Sequence, residues 1–265
     1  MKRLLIYKRS DCHKKWLLPV LNHFKKNAYR VSLHIGRLPS AIHWDRVIIW
    51  NGNHRTEKAF AKKLRQAGVT VNFLEVGHFP QSKFGMLSRN GSVGGDLFAG
   101  EQVPSLPSDG ELRLQSKREE YIPAFAHEPR QISGFLQLEF DFAVRSHSPY
   151  TRMQQYIDDV EARYGDAVFK VHPLNRRVFC KARKPFYRGA SIWPHIMRAK
   201  RCVGINSTAL YEAVLAGVPV TALGECPLKR HPTQHREIIH EMLLRQFPVD
   251  GSDIGEQVYR SIGDI

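Results

Sequence analysis

The chain has 265 residues and a formal net charge of +15. This length allows one large or two small domains, each with its own hydrophobic core. The positive charge indicates an anionic partner, which is nucleic acid, an anionic membrane face or an anionic substrate. Because Lys and Arg are spread along the chain and no zinc-finger, RNP or basic-zipper pattern occurs, no nucleic-acid partner is expected.

The cysteines and the N-terminal residues indicate the compartment. Cys12, Cys180, Cys202 and Cys226 have no C-x-x-C spacing, which favours a reducing, cytoplasmic compartment without structural zinc. The first apolar run is too short for a signal peptide, and no apolar span of about 18 residues follows. We therefore expect a cytoplasmic protein that is at most peripheral at the inner membrane.

The first half of the chain reads as a β-α-β-β-α-β succession with short loops, which is typical of a Rossmann-like domain. Its strands are predicted at residues 3–8, 30–35, 46–50 and 70–76, and its helices at 16–26 and 56–66. Residues 77–100 hold six glycines and predict a long loop, since apolar periodicity is lost there. Residues 101–131 predict an interdomain connection with a helix near 111–121.

The second half predicts another Rossmann-like domain. Strands are expected at 132–140, 167–171, 202–205 and 218–223, and helices at 149–164 (begun by Ser148), 191–198, 208–216, 235–246 and, more weakly, 254–262. The predicted domains are therefore 1–130 and 131–265, with the last helix packing back on the first. We expect the active site in the cleft between them.

The most regular stretch, residues 202–224, predicts a strand, a helix and a parallel strand. Asn206, Ser207 and Thr208 fall at the helix N-terminus, where backbone N–H groups and hydroxyls can bind a phosphate, although the same residues can serve as helix caps only. Gly217 suits the left-handed C-terminal cap. Glu212 is wrongly spaced for a capping box and is a candidate to accept hydrogen bonds from a ribose or base.

Other polar residues follow predicted strands directly. Asp141 follows one strand and His172, with Lys170 beside it, follows another, so both should meet residues 206–208 at the carboxyl edge of one parallel sheet. Glu75 ends a strand of the first half and is either a ligand group or a strand-end carboxylate in water. A structural hydrogen bond is the alternative role for His172.

Several common sites are absent from the sequence. It contains no G-x-x-x-x-G-K-[ST], no G-x-G-x-x-G after a strand and no G-x-S-x-G. His240 and Glu241 begin like a zincin helix, but Leu244 stands where the second histidine is needed. The sequence therefore predicts neither a P-loop NTPase, nor an NAD-dependent dehydrogenase, nor a metal site, and we expect no cofactor.

Four blocks, in order along residues 75–220, resemble the capsule-polysaccharide synthesis family that includes the retaining β-Kdo glycosyltransferases. The blocks are Glu75-x-Gly77 with the Gly-rich loop after it, Gln137-x-x-x-Asp141 with Ser148-Pro149-Tyr150, Lys170-Val171-His172-Pro173, and Asn206-Ser207-Thr208 with Glu212-Ala213 and Gly217-Val218-Pro219-Val220. The resemblance implies two Rossmann-like domains of GT-B type. It also implies transfer of Kdo from CMP-Kdo to a glycan or glycolipid acceptor, in capsule or lipopolysaccharide synthesis, with retention at the anomeric carbon.

Carried onto this sequence, the resemblance makes Asp141 the nucleophile that forms a covalent glycosyl intermediate, and Glu75 the acid/base or acceptor-side residue. Lys170, His172, residues 206–208 and Glu212 would bind the CMP donor. Two alternatives stay open: an inverting CMP-sugar transferase, sialyl- or Kdo-type, with Asp141 as general base, and a non-catalytic basic module that binds glycan or nucleic acid.

Overall fold

The computed structural model describes residues 2–8, 14–27, 29–39, 43–52, 54–81, 83–91, 98–139, 141–175, 177–249 and 255–258. The architecture is mixed α/β with two separate, mainly parallel sheets of six and four strands. The chain divides into two compact units, Met1–Gly100 with Met242–Ile265, and Glu101–Glu241. Residues 101–130, which the sequence analysis placed in the first domain, thus belong to the second unit.

The first unit contains the predicted β-α-β-β-α-β succession and two further strands. Its elements are β1 (Lys2–Lys8), α1 (Lys14–Lys26), β2 (Tyr29–Ile35), β3 (Arg46–Trp50), α2 (Arg55–Gln66), β4 (Thr70–Val76), β5 (Phe84–Ser88) and β10 (Gln246–Pro248). The strand order is β10-β5-β4-β3-β1-β2. Strands β1 to β4 pair in parallel, whereas β5 and β10 pair antiparallel and extend the sheet beyond β4.

Alternation along the buried strands creates two cores in the first unit, one on each face of its sheet. Leu4 and Ile6 of β1 pack with Phe24 of α1 on one face, whereas Leu5 packs with Phe60 of α2 on the other. Since successive side chains of a strand point to opposite faces, a strand covered by helices on both sides must be apolar throughout. The continuous apolar run of β1 meets this requirement.

The second unit carries the four-stranded sheet. Its elements are α3 (Gly110–Tyr121), β6 (Gln131–Phe135), α4 (Phe142–His147), α5 (Met153–Tyr164), β7 (Ala167–Lys170), α6 (Trp193–Met197), β8 (Ala199–Gly204), α7 (Thr208–Leu215), β9 (Val220–Ala222), α8 (Pro227–Arg230) and α9 (His235–Arg245), whose last residues are counted with the first unit. The strand order is β7-β6-β8-β9, and every pairing is parallel.

Tyr156 of α5 ties the two central strands of this sheet together. Its side chain is fully buried, and its hydroxyl accepts a hydrogen bond from the Phe135 N–H (3.2 Å) and donates one to the Val203 carbonyl (2.8 Å). Gly134 of β6 is equally constrained, because a Cβ there would collide with the Phe169 ring. Close packing therefore fixes α5 and Phe169 against β6.

The structure corrects several predicted elements. The predicted loop 77–100 contains β5, residues 142–147 form the unpredicted α4, and the strand predicted at 132–140 ends at Phe135. Helix α5 begins at Met153, where the Gln155 side chain accepts from the Thr151 and Arg152 N–H groups, whereas the Ser148 hydroxyl donates to the Val144 carbonyl (2.7 Å) at the end of α4. Of the helix predicted at 254–262, residues 255–258 are helical and the rest lies outside the described residues.

The βαβ unit at 202–224 agrees closely with its prediction. Strand β8 leads into α7, the Ser207 hydroxyl accepts from the Ala209 N–H (3.3 Å), and Gly217 has φ +80° after the helix. The described helices include none long and apolar enough to cross a bilayer.

We predict that Tyr156→Phe destabilises the protein by about 1–3 kcal/mol, because the change leaves a buried N–H and a buried carbonyl without their partner. The measurement is the urea or thermal unfolding midpoint. Tyr164→Phe is the matched control, since the Tyr164 hydroxyl is only partly buried and makes one long hydrogen bond of 3.4 Å to Thr221. Equal losses in the two variants would contradict the bridging role of Tyr156.

Candidate active site

Polar residues converge at the carboxyl edge of the four-stranded sheet in the second unit. Because β6 lies between β7 and β8, the residues after β6 lie between His172, which follows β7, and Asn206, which follows β8. Asp141 is the sixth residue after the end of β6, and its backbone carbonyl accepts from the Arg145 N–H (3.1 Å) in the first turn of α4. The order of the strands therefore brings the three predicted positions to the same edge of the sheet.

Two buried amides join the ends of β6 and β8. Gln137 and Asn206 are 6% and 5% exposed. The Gln137 Nε2 donates to Asn206 Oδ1 (3.0 Å), and the Asn206 backbone N–H donates to Gln137 Oε1 (3.3 Å). This reciprocal pair satisfies polar groups that would otherwise be costly to bury, and it fixes the separation of the two strand ends.

The N-terminus of α7 follows directly from this pair. Ser207 is the N-cap residue, and its hydroxyl oxygen accepts from the Ala209 N–H. The hydroxyl proton of Ser207 therefore points away from this N–H group. Ser207 and Thr208 are both partly exposed. Capping and anion binding are thus compatible here, because the cap uses the oxygen of Ser207 as an acceptor while a ligand would use its O–H as a donor.

His172 lies close enough to Asp141 for their charges to interact. Partial burial lowers the pKa of His172, the nearby Asp141 carboxylate opposes this change, and the Lys170 ammonium adds to it. The His172 Nδ1 accepts from the Leu174 N–H at 3.2 Å. In the neutral ring the proton is therefore on Nε2, which makes that atom a hydrogen-bond donor.

Lys170 is almost completely buried, and its ammonium is held by the protein itself. Its Nζ donates to the Gly189 carbonyl (2.7 Å) and lies 5.5 Å from the centre of the Tyr187 ring. Burial lowers the pKa of Lys170. The side chain predicted to contact the donor thus also anchors the segment around residues 187–189.

Beneath that segment lies a buried histidine that the sequence analysis did not single out. The His195 ring stacks on Tyr187 (5.2 Å between centres) and meets the Phe135 ring edge-on, and its Nε2 lies 3.1 Å from the Gly134 carbonyl oxygen. Burial lowers the pKa of His195 to about 4, with a smaller opposing effect from the Gly134 carbonyl. His195 is therefore a neutral support for the site at physiological pH.

Glu212 is linked to α3 by a strong hydrogen bond. The Tyr121 hydroxyl donates to Glu212 Oε1 at 2.5 Å, and the Tyr121 ring meets Trp193 edge-on. Burial raises the pKa of Glu212, and the bond from Tyr121 partly offsets this change. Because one carboxylate oxygen already has a donor within the protein, a ligand would contact the other oxygen.

Glu75 lies in the first unit and is buried, being only 7% exposed. It is the sixth residue of β4 and stands opposite Met86 of β5. The alternative of a strand-end carboxylate in water is therefore wrong. Its assignment to the acid/base or acceptor side stays a prediction.

Sequence reasoning did not find the supporting partners Tyr121, Tyr156, Tyr187 and His195, nor the pairing of Gln137. Each contacts a residue that is distant in the chain, so no local pattern indicates the contact.

Within the described part of the chain, no cluster of three or more His, Cys, Asp or Glu side chains is arranged to hold a metal ion.

Solved structures with a similar fold are β-Kdo transferases. The β-Kdo 2,7 transferase KpsC of Thermosulfurimonas dismutans matches with a TM-score of 0.64 at 16% identity, covering 98% of this chain and 99% of that one. The β-Kdo 2,4 transferase KpsC of the same organism matches with a TM-score of 0.51 at 17% identity, covering 83% and 79%. The fold is thus shared with the family that the sequence motifs resemble.

No protein-family model matches the chain, and no curated protein matches its sequence. The similarity is therefore carried by the fold at low sequence identity.

We predict that His195 makes stability depend on pH. Its pKa falls from 6.5 to about 4 on folding, so the folded protein binds fewer protons at this residue within that window. The contribution of His195 to the free energy of unfolding is complete above pH 6.5 and is lost as the pH falls towards 4. His195→Gln should remove up to about 1.4 kcal/mol per pH unit from the slope of unfolding free energy against pH.

The control is Ser133→Ala, which removes the buried hydrogen bond from Ser133 to the His195 carbonyl (2.9 Å) without removing a titrating group. It should lower the unfolding free energy by a similar amount at every pH. An unchanged slope in His195→Gln would contradict the prediction.

Proposed function

We propose that the chain is a member of the capsule-polysaccharide synthesis family and transfers Kdo from CMP-Kdo to a glycan or glycolipid acceptor with retention. The observation that carries this proposal is the convergence of Asp141, His172 and residues 206–208 at one sheet edge, within a fold shared along nearly the full chain with a β-Kdo 2,7 transferase. The proposal includes a GT-B architecture and a role in capsule or lipopolysaccharide synthesis.

The second unit is the donor side in this proposal. The phosphate of CMP-Kdo is bound by the N–H groups at the start of α7, the hydroxyls of Ser207 and Thr208, and the Nε2–H of His172. Glu212 accepts a ribose hydroxyl with the oxygen that Tyr121 leaves available. Lys170 contributes positive charge from its buried position, since Coulomb interactions act across a few ångströms of protein.

Asp141 is the nucleophile. One of its oxygens forms a bond to the anomeric carbon while the bond from that carbon to the phosphate oxygen breaks, and CMP leaves with the electron pair. The acceptor hydroxyl then attacks the same carbon, its proton passes to a base, for which Glu75 is the candidate, and Asp141 is released. Two displacements restore the original configuration, which is the reason that retention requires a carboxylate here.

The excess of Lys and Arg fits this assignment, because the donor, an acidic glycan acceptor and the anionic lipids of an inner membrane all carry negative charge. Peripheral contact with that membrane is part of the proposal.

The first test concerns Asp141. Asp141→Asn should keep the fold and CMP affinity, because the amide is nearly isosteric, but should lose Kdo transfer by several orders of magnitude, since the amide is a poor nucleophile. Wild type incubated with CMP-Kdo and no acceptor should gain the mass of one Kdo residue on the peptide that contains Asp141. Intact-mass and peptide mass spectrometry measure both outcomes.

Asp166→Asn is the matched control, because this exposed carboxylate pairs with Lys184 (3.0 Å) away from the site. An adduct on another carboxylate would reassign the nucleophile. A product of inverted configuration, read by NMR, would instead support the CMP-sugar transferase in which Asp141 is a general base.

The second test concerns the nucleotide. His172→Ala should raise the Kd for CMP about 10- to 100-fold, the loss expected for one hydrogen bond to a charged group. Calorimetric titration with CMP measures the change, and His231→Ala, also half-buried and in the same unit, is the control. A wild type that CMP neither binds nor stabilises would favour the non-catalytic binding module.

A further inference from the structure

A cavity of about 440 Å³ opens beside Asp141 in the second unit. Its apolar wall includes Leu136, Leu138 and Met153, and Arg177 and Phe179 of the segment after β7 also line it. The described residues that line it include none of the phosphate-binding residues 206–208. Asp141 therefore borders two regions, the predicted phosphate site and this cavity, whose volume suits a small ligand.

Arg177 is an exposed cation in this lining. Within the described part of the chain it makes no hydrogen bond and no ion pair. Glu139, which also lines the cavity, is already engaged, since its carboxylate accepts from the Met153 N–H (3.3 Å) at the start of α5. The guanidinium of Arg177 is thus available to an anionic ligand next to Asp141.

Phe179 is 88% exposed, the largest exposure among the large hydrophobic side chains of the described residues. An exposed phenylalanine ring beside an arginine and an apolar wall offers apolar area that a ligand can bury. A flat apolar ring packs well against the C–H groups of a sugar, and a guanidinium pairs with a carboxylate through two parallel hydrogen bonds. Together they match a sugar acid.

The proposed reaction needs a cation close to Asp141. Kdo carries its carboxylate on the anomeric carbon, so attack by Asp141 brings two carboxylates together, and like charges at short range repel. A cation on the same side of the cavity offsets this repulsion.

We propose that Arg177 and Phe179 form the subsite for the anionic sugar of the donor, with Arg177 binding the sugar carboxylate and Phe179 covering the ring. This inference rests on the proposed function. Arg177 and Phe179 determine specificity for sugar acids over neutral sugars, whereas the residues around α7 bind the nucleotide.

The test separates the sugar from the nucleotide. Initial rates give the KM for CMP-Kdo, and product inhibition gives the Ki for CMP. Arg177→Gln should raise the KM about 10- to 100-fold and leave the Ki for CMP within about twofold, because CMP lacks the carboxylate. Arg177→Lys should fall between wild type and Gln, since lysine keeps the charge but not the planar fork.

Phe179→Ala should also raise the KM for CMP-Kdo. Phe179→Tyr should leave the KM close to that of the wild type, because tyrosine keeps the ring. Arg198→Gln is the matched control, since Arg198 is an exposed arginine before β8, at the amino edge of the same sheet. It should leave both constants at wild-type values.

Two results would overturn the inference. The first is a KM for Arg177→Gln equal to that of Arg198→Gln, and the second is a rise in the Ki for CMP that parallels the rise in KM. If the wild type transfers Kdo and the Arg177 and Phe179 variants have the same kinetic constants as the wild type, this subsite alone is rejected. A wild type that does not use CMP-Kdo rejects the proposed function and the subsite with it.

Discussion

The buried amide pair between Gln137 and Asn206 is the contact on which the edge of the second sheet depends. Hydrogen bonds within a sheet fix strands along their length, but they stop where the strands end, and the residues beyond would otherwise diverge. The amide pair joins the two chain segments by side-chain hydrogen bonds just after β6 and β8 have ended. Since Asp141 lies four residues after Gln137 and α7 begins two residues after Asn206, this pair fixes the start of both segments.

Several residues that we propose to bind the ligand also hold the fold together. Ser207 caps α7 with its oxygen, Lys170 holds the segment at Gly189, and Glu212 receives the Tyr121 hydroxyl. Each group is thereby held in one orientation before a ligand arrives, which reduces the ordering that binding would require. The protein contacts and the predicted ligand contacts use different atoms or different lone pairs.

The sequence predicted the parts of the fold that have strong local patterns. The parallel strands and their helices have apolar runs and caps, and the βαβ unit predicted at 202–224 occurs as β8, α7 and β9. Strands β5 and β10 were not predicted, because both are short and pair antiparallel at the edge of the sheet, and β5 is flanked by glycine-rich sequence. Asp141 and His172 were predicted as site residues because each follows a predicted strand, although β6 ends six residues before Asp141. Gln137 with Asn206, and Tyr121 with Glu212, pair across 69 and 91 residues and leave no local pattern.

The pairing of β10 with β5 has a consequence for synthesis of the chain. Gln246 pairs with Met86, so the whole second unit is translated between the two partners. At typical rates of translation, the ribosome takes roughly 8–30 seconds to add the ~160 residues between these two strands. During that time β5 is an open edge with unpaired backbone groups, which other nascent chains can join. Chaperone dependence and losses to aggregation should therefore concentrate in this interval, before residue 248 has emerged.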